Sequence, residues 1–312
     1  MNGRLICKGC GQPVQARVLW ALGAPWHPEH FLCAACGRPI TEASFNEYQG
    51  APYHTECYMQ TVLPRCAYCG KPLVGEYVVD PRGRKLCRED AEQCTPCQFC
   101  GSLISPEEQE RGTGLYRCSA CRATAIETAE DAKPFYRQVV QWIGQEGLRY
   151  YNLPLSLELC SREKLASYMA HRVTAKGGRE ADSLGVTRST TYTQDGQVIR
   201  RTIDGVAVLE GLPAAIFQGV VAHELGHVWL AVHAIATPSP REEEGFCELL
   251  AYRLYHHQAT AEARLQMVRM ERNPDPIYGE GFRQVRALSE RLGFQQLLTA
   301  LLQARRWPGG HP

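Results

Sequence analysis

The sequence predicts a multidomain protein in which small cysteine-rich modules precede one larger α+β domain. Three observations carry that prediction. Of fifteen cysteines in 312 residues, all but Cys160 and Cys247 lie before residue 122. Those early cysteines recur as CxxC pairs at near-equal intervals. Beyond residue 125 they give way to strand-like runs and helical periodicities, over a length that can bury a real core. The expected domains are 1–62, 63–125 and 126–312.

Composition narrows the function classes. Basic and acidic residues nearly balance, leaving a net charge of +1. That points away from nucleic acid and from anionic membranes as partners. No run of 18 apolar residues occurs, so no transmembrane helix is expected. Met1 to Leu5 contain no apolar signal-peptide core. The expected compartment is the cytoplasm, where clustered cysteines signal bound metal rather than disulfides.

The first module opens with Cys7 and Cys10, followed by His27 and His30. Cys33 and Cys36 come next, with His54 and Cys57 completing a second set. Zinc takes four nitrogen or sulfur donors at tetrahedral corners. A CxxC turn supplies two corners, and a second pair must return from a hairpin or short helix. The stretch WHPEHFLCAAC (Trp26 to Cys36) resembles the centre of a LIM domain, two zinc fingers in tandem. His30 stands where a cysteine is more usual, and imidazole binds zinc equally well.

The second module holds Cys66, Cys69 and Cys87, with Asp90 or Cys94 as fourth ligand. Spacing favours Asp90. Cys97 and Cys100 then pair with Cys118 and Cys121. This block is LIM-like, since the central histidine of a LIM domain is missing. Scattered buried cysteines would not repeat CxxC in this way. Four protein ligands per site leave no open position, so about four structural zinc ions are expected. Metal binding then supplies much of the folding free energy of such small fingers, and their expected partners are proteins.

In the C-terminal region a helix is expected from Pro134 to Gly147, an extended piece from Leu155 to Leu159, and a helix from Arg162 to Met169. Residues 177–185 are loop-like in composition. Val186–Tyr192 and Val198–Ile203 suit paired strands around Gln194-Asp195-Gly196, with a further strand at Val206–Leu209. Helices are expected again over 261–272 and 282–306.

A helix beginning near Pro213 carries His223-Glu224-Leu225-Gly226-His227. Histidines at i and i+4 project from one face one turn apart, the separation that grips one zinc ion. Glu224 between them can serve as general base toward a metal-bound water. Glu244 is chosen as third ligand, with Glu243 and Glu248 as rivals. Glu248, one turn beyond Glu244, can instead fix the tautomer of a zinc histidine. Glu242 suits a helix N-terminus. His233 is expected to be an ordinary helix residue and Cys247 a small buried one. An oxyanion donor is expected among Tyr252, Tyr255, His256, His257 and Tyr278, with no choice between them. Val206–Leu209 is either a substrate-binding strand or an interior one.

Glu244-Gly245-Phe246 resembles the ligand string of the gluzincins, zinc peptidases whose third ligand is a glutamate on the helix after HExxH. With the fingers, the stretches VLEGLPAAIFQGVVAHELGHVWL (Val208 to Leu230) and EEGFCELLAY (Glu243 to Tyr252) resemble the plant LIM-peptidase family that limits seed and organ size. The resemblance spans nearly the whole chain. It implies a gluzincin-type metallopeptidase domain with one catalytic zinc, protein substrates, and activation by ubiquitin or a ubiquitin-like protein. Plant members carry ubiquitin-interacting helices before the LIM domain. This chain starts at the LIM domain, so a distant or bacterial relative is expected. An endopeptidase is preferred over an exopeptidase, and over a non-catalytic LIM scaffold with an inactive peptidase-like domain.

Overall fold

A computed structural model describes residues 4–110, 115–150, 155–169, 183–194 and 197–308. The expected loop at 177–185 and the turn at 194–196 lie largely outside these residues. The chain divides into two compact units. The first comprises Met1–Pro96 with Gly101–Gln109, and the second Cys97–Cys100 with Glu110–Pro312. Cys97 and Cys100 therefore group with Cys118 and Cys121 in the C-terminal unit.

The first unit is built of two-stranded hairpins, including Leu19–Ala21 with Ala24–Trp26 and Asn46–Tyr48 with Ala51–Tyr53. Short helices at Thr55–Thr61 and Arg88–Gln93 follow the second and third hairpins. Each core is small. Phe31 is fully buried between the edges of Trp26 and Phe45. Leu86 and Leu73 pack with Cys66 in the third finger. Cores of this size do not hold a fold alone, so the cysteine and histidine clusters beside them must contribute.

The second unit mixes helices with a three-stranded sheet. We label its sheet strands β1 (Ser156–Cys160), β2 (Gly185–Gln194) and β3 (Gln197–Leu209). The order is β1-β3-β2, with β1 parallel and β2 antiparallel to β3. Val206–Leu209 is thus not a separate strand but the end of β3. It is bonded on both sides, to Leu157–Cys160 and to Gly185–Thr187, and has no edge to offer a substrate. Gly205 makes the continuity possible. Its φ is +147°, and a Cβ there would lie 2.3 Å from the carbonyl oxygen of Ser156. Only glycine tolerates that conformation and approach.

The longer described helices of this unit are α1 (Ala129–Gln145), α2 (Arg162–Met169), α3 (Ala214–Val232), α4 (Pro240–Gln258), α5 (Ala261–Glu271), α6 (Tyr278–Leu292) and α7 (Phe294–Ala304). The first begins before the expected Pro134, because Thr128 caps it by accepting the amide of Asp131. The expected helix over 282–306 is two helices. Gly293, at φ +87°, ends α6 and starts α7. By length and composition α3 could cross a membrane, yet most of it is buried within the unit. Phe217, Leu225, Val228 and Trp229 line it on several sides, the pattern of a core helix. Ser239 caps α4 and Pro240 opens it, which aims the acidic first turn of α4 at α3. The two helices meet closely at Gly226, where a Cβ would stand 2.9 Å from Sγ of Cys247.

Candidate metal centre

His223 and His227 leave the same face of α3, and Glu244 comes from α4. Their donor atoms form a triangle with nearly equal edges. Nε2 of His223 lies 3.3 Å from Nε2 of His227. Oε2 of Glu244 lies 3.2 Å from the first and 3.3 Å from the second. Zinc with four tetrahedral donors at about 2.0–2.1 Å has donor-to-donor edges of about 3.3 Å. The residues present therefore fit a zinc ion, with three protein donors, the number found where a fourth position stays open to water.

The surrounding groups suit the same ion. Glu243 Oε1 sits 2.9 Å from Nδ1 of His227. Glu248 Oε1 lies 3.0 Å from Nδ1 of His223, a charge contact whose angle falls short of a hydrogen bond. Each histidine thus has a carboxylate behind it, the arrangement that orients metal-bound imidazoles. Glu243 and Glu248, weighed as rival ligands, stand on the far nitrogens. The backing role of Glu243 was not anticipated. Burial works against charge on His223, but the carboxylates of Glu244 and Glu248 outweigh it and hold its pKa well above the ordinary value. Burial likewise opposes charge on Glu244, and the two histidines hold its pKa far below the usual carboxylate range. Positive charge at this point is strongly favoured.

Glu224 is buried and belongs to the same turn as His223. Thr187 on β2 holds it, with Oγ1 at 2.8 Å from Oε2. No sequence signal pointed to Thr187, which lies on a separate element. Cys247 is buried beneath the histidines, and its sulfur lies within 4.8 Å of their nitrogens. Among the expected oxyanion candidates, Tyr278 stands beside the site, its ring stacked on His223 at 6.4 Å. Burial, then the charge of Glu244, raises its pKa and keeps the phenol protonated. Tyr252 is turned away, donating to Glu271 at 2.6 Å. Tyr255 is buried against Gly219, and His257 lies by Trp142. His256 is exposed, and His233 donates to the carbonyl of Arg149 at 2.9 Å. Beside His227 a cavity of about 130 Å³ is lined by Ile203, Leu230 and Ile235, with Thr187, Ser189 and Glu243 among its polar groups. A wider depression of about 380 Å³ on the third finger, around Tyr77 and Arg88, holds no such cluster.

The other predicted ligands are also brought together in fours: Cys7, Cys10, His27 and His30; Cys33, Cys36, His54 and Cys57; Cys66, Cys69, Cys87 and Asp90; Cys97, Cys100, Cys118 and Cys121. Tetrahedral zinc sites with sulfur need edges of about 3.6–3.8 Å. Cys7 Sγ to His30 Nδ1 is 3.8 Å, Cys36 Sγ to His54 Nδ1 is 3.4 Å and Cys69 Sγ to Cys87 Sγ is 3.9 Å. Asp90 Oδ2 reaches Cys66 Sγ at 2.8 Å, and Cys94 is outside the group. Cys100 with Cys118 and Cys97, and then burial, push the Cys121 thiol far up. Four thiolates share such a space only around a cation.

Two family models match separate stretches of the chain. The LIM domain family matches residues 7–62, across the first two clusters. The family described as Protein DA1 (DA1-like) matches residues 158–269, from β1 to α5, and so spans every group of the histidine site except Tyr278. The DA1 family matches this chain. Protein DA1 of Arabidopsis thaliana is 24 % identical, covering 97 % of this chain and 68 % of that protein. Protein DA1-related 1 of Arabidopsis thaliana is 26 % identical over 79 % of this chain and 50 % of its own length. LIM domain-containing protein HDR3 of Oryza sativa subsp. japonica is 26 % identical over 80 % and 56 % respectively. The chain thus spans from half to about two-thirds of these relatives. An N-terminal LIM zinc-binding module is followed by a DA1-like domain of mixed helix and sheet.

Proposed function

We propose that the DA1-like unit is a zinc-dependent endopeptidase of the gluzincin kind, with the LIM modules recruiting protein partners or regulating it. One observation carries the reading: the equal-edged triangle of His223, His227 and Glu244, with Glu224 on the same helical turn. Zinc held there supplies a Lewis acid and brings the pKa of a bound water toward neutrality.

The chain's own residues do the rest. Glu224 takes a proton from the attacking water and passes it to the leaving amine. Tyr278, protonated beside His223, donates a hydrogen bond to the charge that develops on the carbonyl oxygen. Among the described residues β2 is an edge strand, so an extended peptide can pair along it next to Glu224. This moves the substrate from Val206–Leu209 to the neighbouring strand. The 130 Å³ cavity accepts one apolar side chain; a cavity of about 150 Å³ takes a benzene ring. Its acid, Glu243, is engaged by His227 rather than held free for a peptide amino terminus, which favours internal cleavage. The partners on this reading are proteins, including ubiquitin or a ubiquitin-like activator, in the cytoplasm, without nucleic acid or membrane.

The test is zinc analysis and peptide cleavage by the full chain and by Glu224→Gln. The expected result is one zinc for each of the four finger clusters and one at His223, His227 and Glu244 in both proteins, with cleavage by the wild type alone. A folded protein with zinc in the four finger clusters and none at His223 and His227 would leave a scaffold.

A further inference from the structure

Thr187 is almost fully buried, and its hydroxyl touches Glu224 twice. Oγ1 lies 2.8 Å from the carboxylate oxygen Oε2 and 2.9 Å from the backbone carbonyl of the same residue. A hydroxyl has one hydrogen to donate, so it serves one of these acceptors at a time. Two residues earlier on the same strand face is Gly185. A Cβ there would meet Val220 Cγ1 at 2.5 Å and Glu224 Cγ at 3.1 Å. The strand is thus laid against the turn of α3 that carries Glu224. Val186, between the two, faces the other way. A packing strand needs no hydroxyl at this point, and valine would fill the same space.

We infer that Thr187 is a positioning residue for the general base. Its hydroxyl fixes one carboxylate oxygen of Glu224 and so sets the direction of the other. A free carboxylate on a three-carbon side chain has several rotamers. Holding it in one removes the orientation cost from the proton-transfer step. The inference rests on the peptidase reading, and its test separates the two.

The experiment uses the zinc-loaded full chain with Thr187→Val and Thr187→Ser. Both are assayed for peptide cleavage and zinc content, and both are crystallised. Thr187→Val is expected to lower kcat on the order of 10- to 100-fold, with little change in KM or zinc content. Thr187→Ser, which restores the hydroxyl without the methyl, should recover most of that loss. Equal kcat in wild type and Thr187→Val overturns the inference, as does a Thr187→Ser variant no better than valine. If the wild type cleaves nothing, the crystal structures decide positioning. A Glu224 carboxylate reoriented or split in Thr187→Val but not in Thr187→Ser supports it. An unmoved carboxylate in both sinks it.

Discussion

Oε1 of Glu243 lies 2.9 Å from Nδ1 of His227, which leaves Nε2 of that ring facing Glu244. Adjacent residues of α4 therefore take opposite ends of one imidazole. On the proposed reading Glu244 would supply a donor to the ion, while Glu243 would hold the ring that supplies another.

Replacing Glu243 should therefore weaken zinc without removing it. Glu243→Ala is expected to lower affinity at the histidine site about 10- to 100-fold, and Glu244→Ala by more. Competition against a chelator of known affinity measures both. Unchanged affinity in Glu243→Ala would remove its supporting role.

The third finger offers a choice that metal counting resolves. Asp90→Ala should cost one zinc per chain, because Asp90 lies with Cys66, Cys69 and Cys87. Cys94→Ala should cost none. The reverse result would make Cys94 the ligand.

Gly226 sets how closely α3 and α4 pack. Gly226→Ala puts a methyl 2.9 Å from Cys247 Sγ and 3.1 Å from Leu250 Cδ1. A destabilisation of about 1–3 kcal/mol is expected. Adding Cys247→Ala should recover part of it, since the sulfur is the nearest obstacle. Strict additivity in denaturant unfolding would show that the two sites do not press on each other.

Arg117 is buried, donating to Glu110 at 2.7 Å, to Glu127 at 2.6 Å and to the carbonyl of Gly211 at 2.9 Å. It ties the last finger to the turn before α3. Arg117→Met should cost the second unit about 3 kcal/mol, by leaving Glu110 and that carbonyl unpaired. Arg117 holds the pKa of Glu110 below its ordinary 4.5, against the effect of burial. A depressed carboxylate pKa stabilises above the unfolded value and ceases to do so as pH falls through the folded one. Wild-type stability should therefore decline below about pH 4.5 with a component that Arg117→Met lacks. Parallel acid unfolding curves for the two proteins would rule that component out.

Much of this architecture is legible along the chain because its chemistry is local. A CxxC turn brings two sulfurs to one metal whatever surrounds it, and an i, i+4 pair on a helix does the same for His223 and His227. Hence the finger ligands, the HExxH helix and the pairing of β2 with β3 could be read from spacing. Propensity failed where a local rule met a neighbour. Val198–Ile203 and Val206–Leu209 looked like separate strands, but Gly205 passes tightly beside Ser156 and joins them in a continuous β3. Pro134 looked like a helix start, but Thr128 had already capped α1.

The sequence by itself determined which residues could hold metal and which helix carries His223, Glu224 and His227 on one turn, since both follow from short-range geometry. It favoured Glu244 over Glu243 and Glu248 by position alone, without the geometry that separates them. Each lies on the helix after HExxH, and only the angle and depth at which α4 crosses α3 places Glu244 at the shared corner and the others behind the rings. That crossing depends on the close contact at Gly226. Thr187 and Tyr278 likewise reach the site from separate elements, 37 residues before Glu224 and 55 after His223. Their approach is set by sheet and helix packing, which no local pattern records.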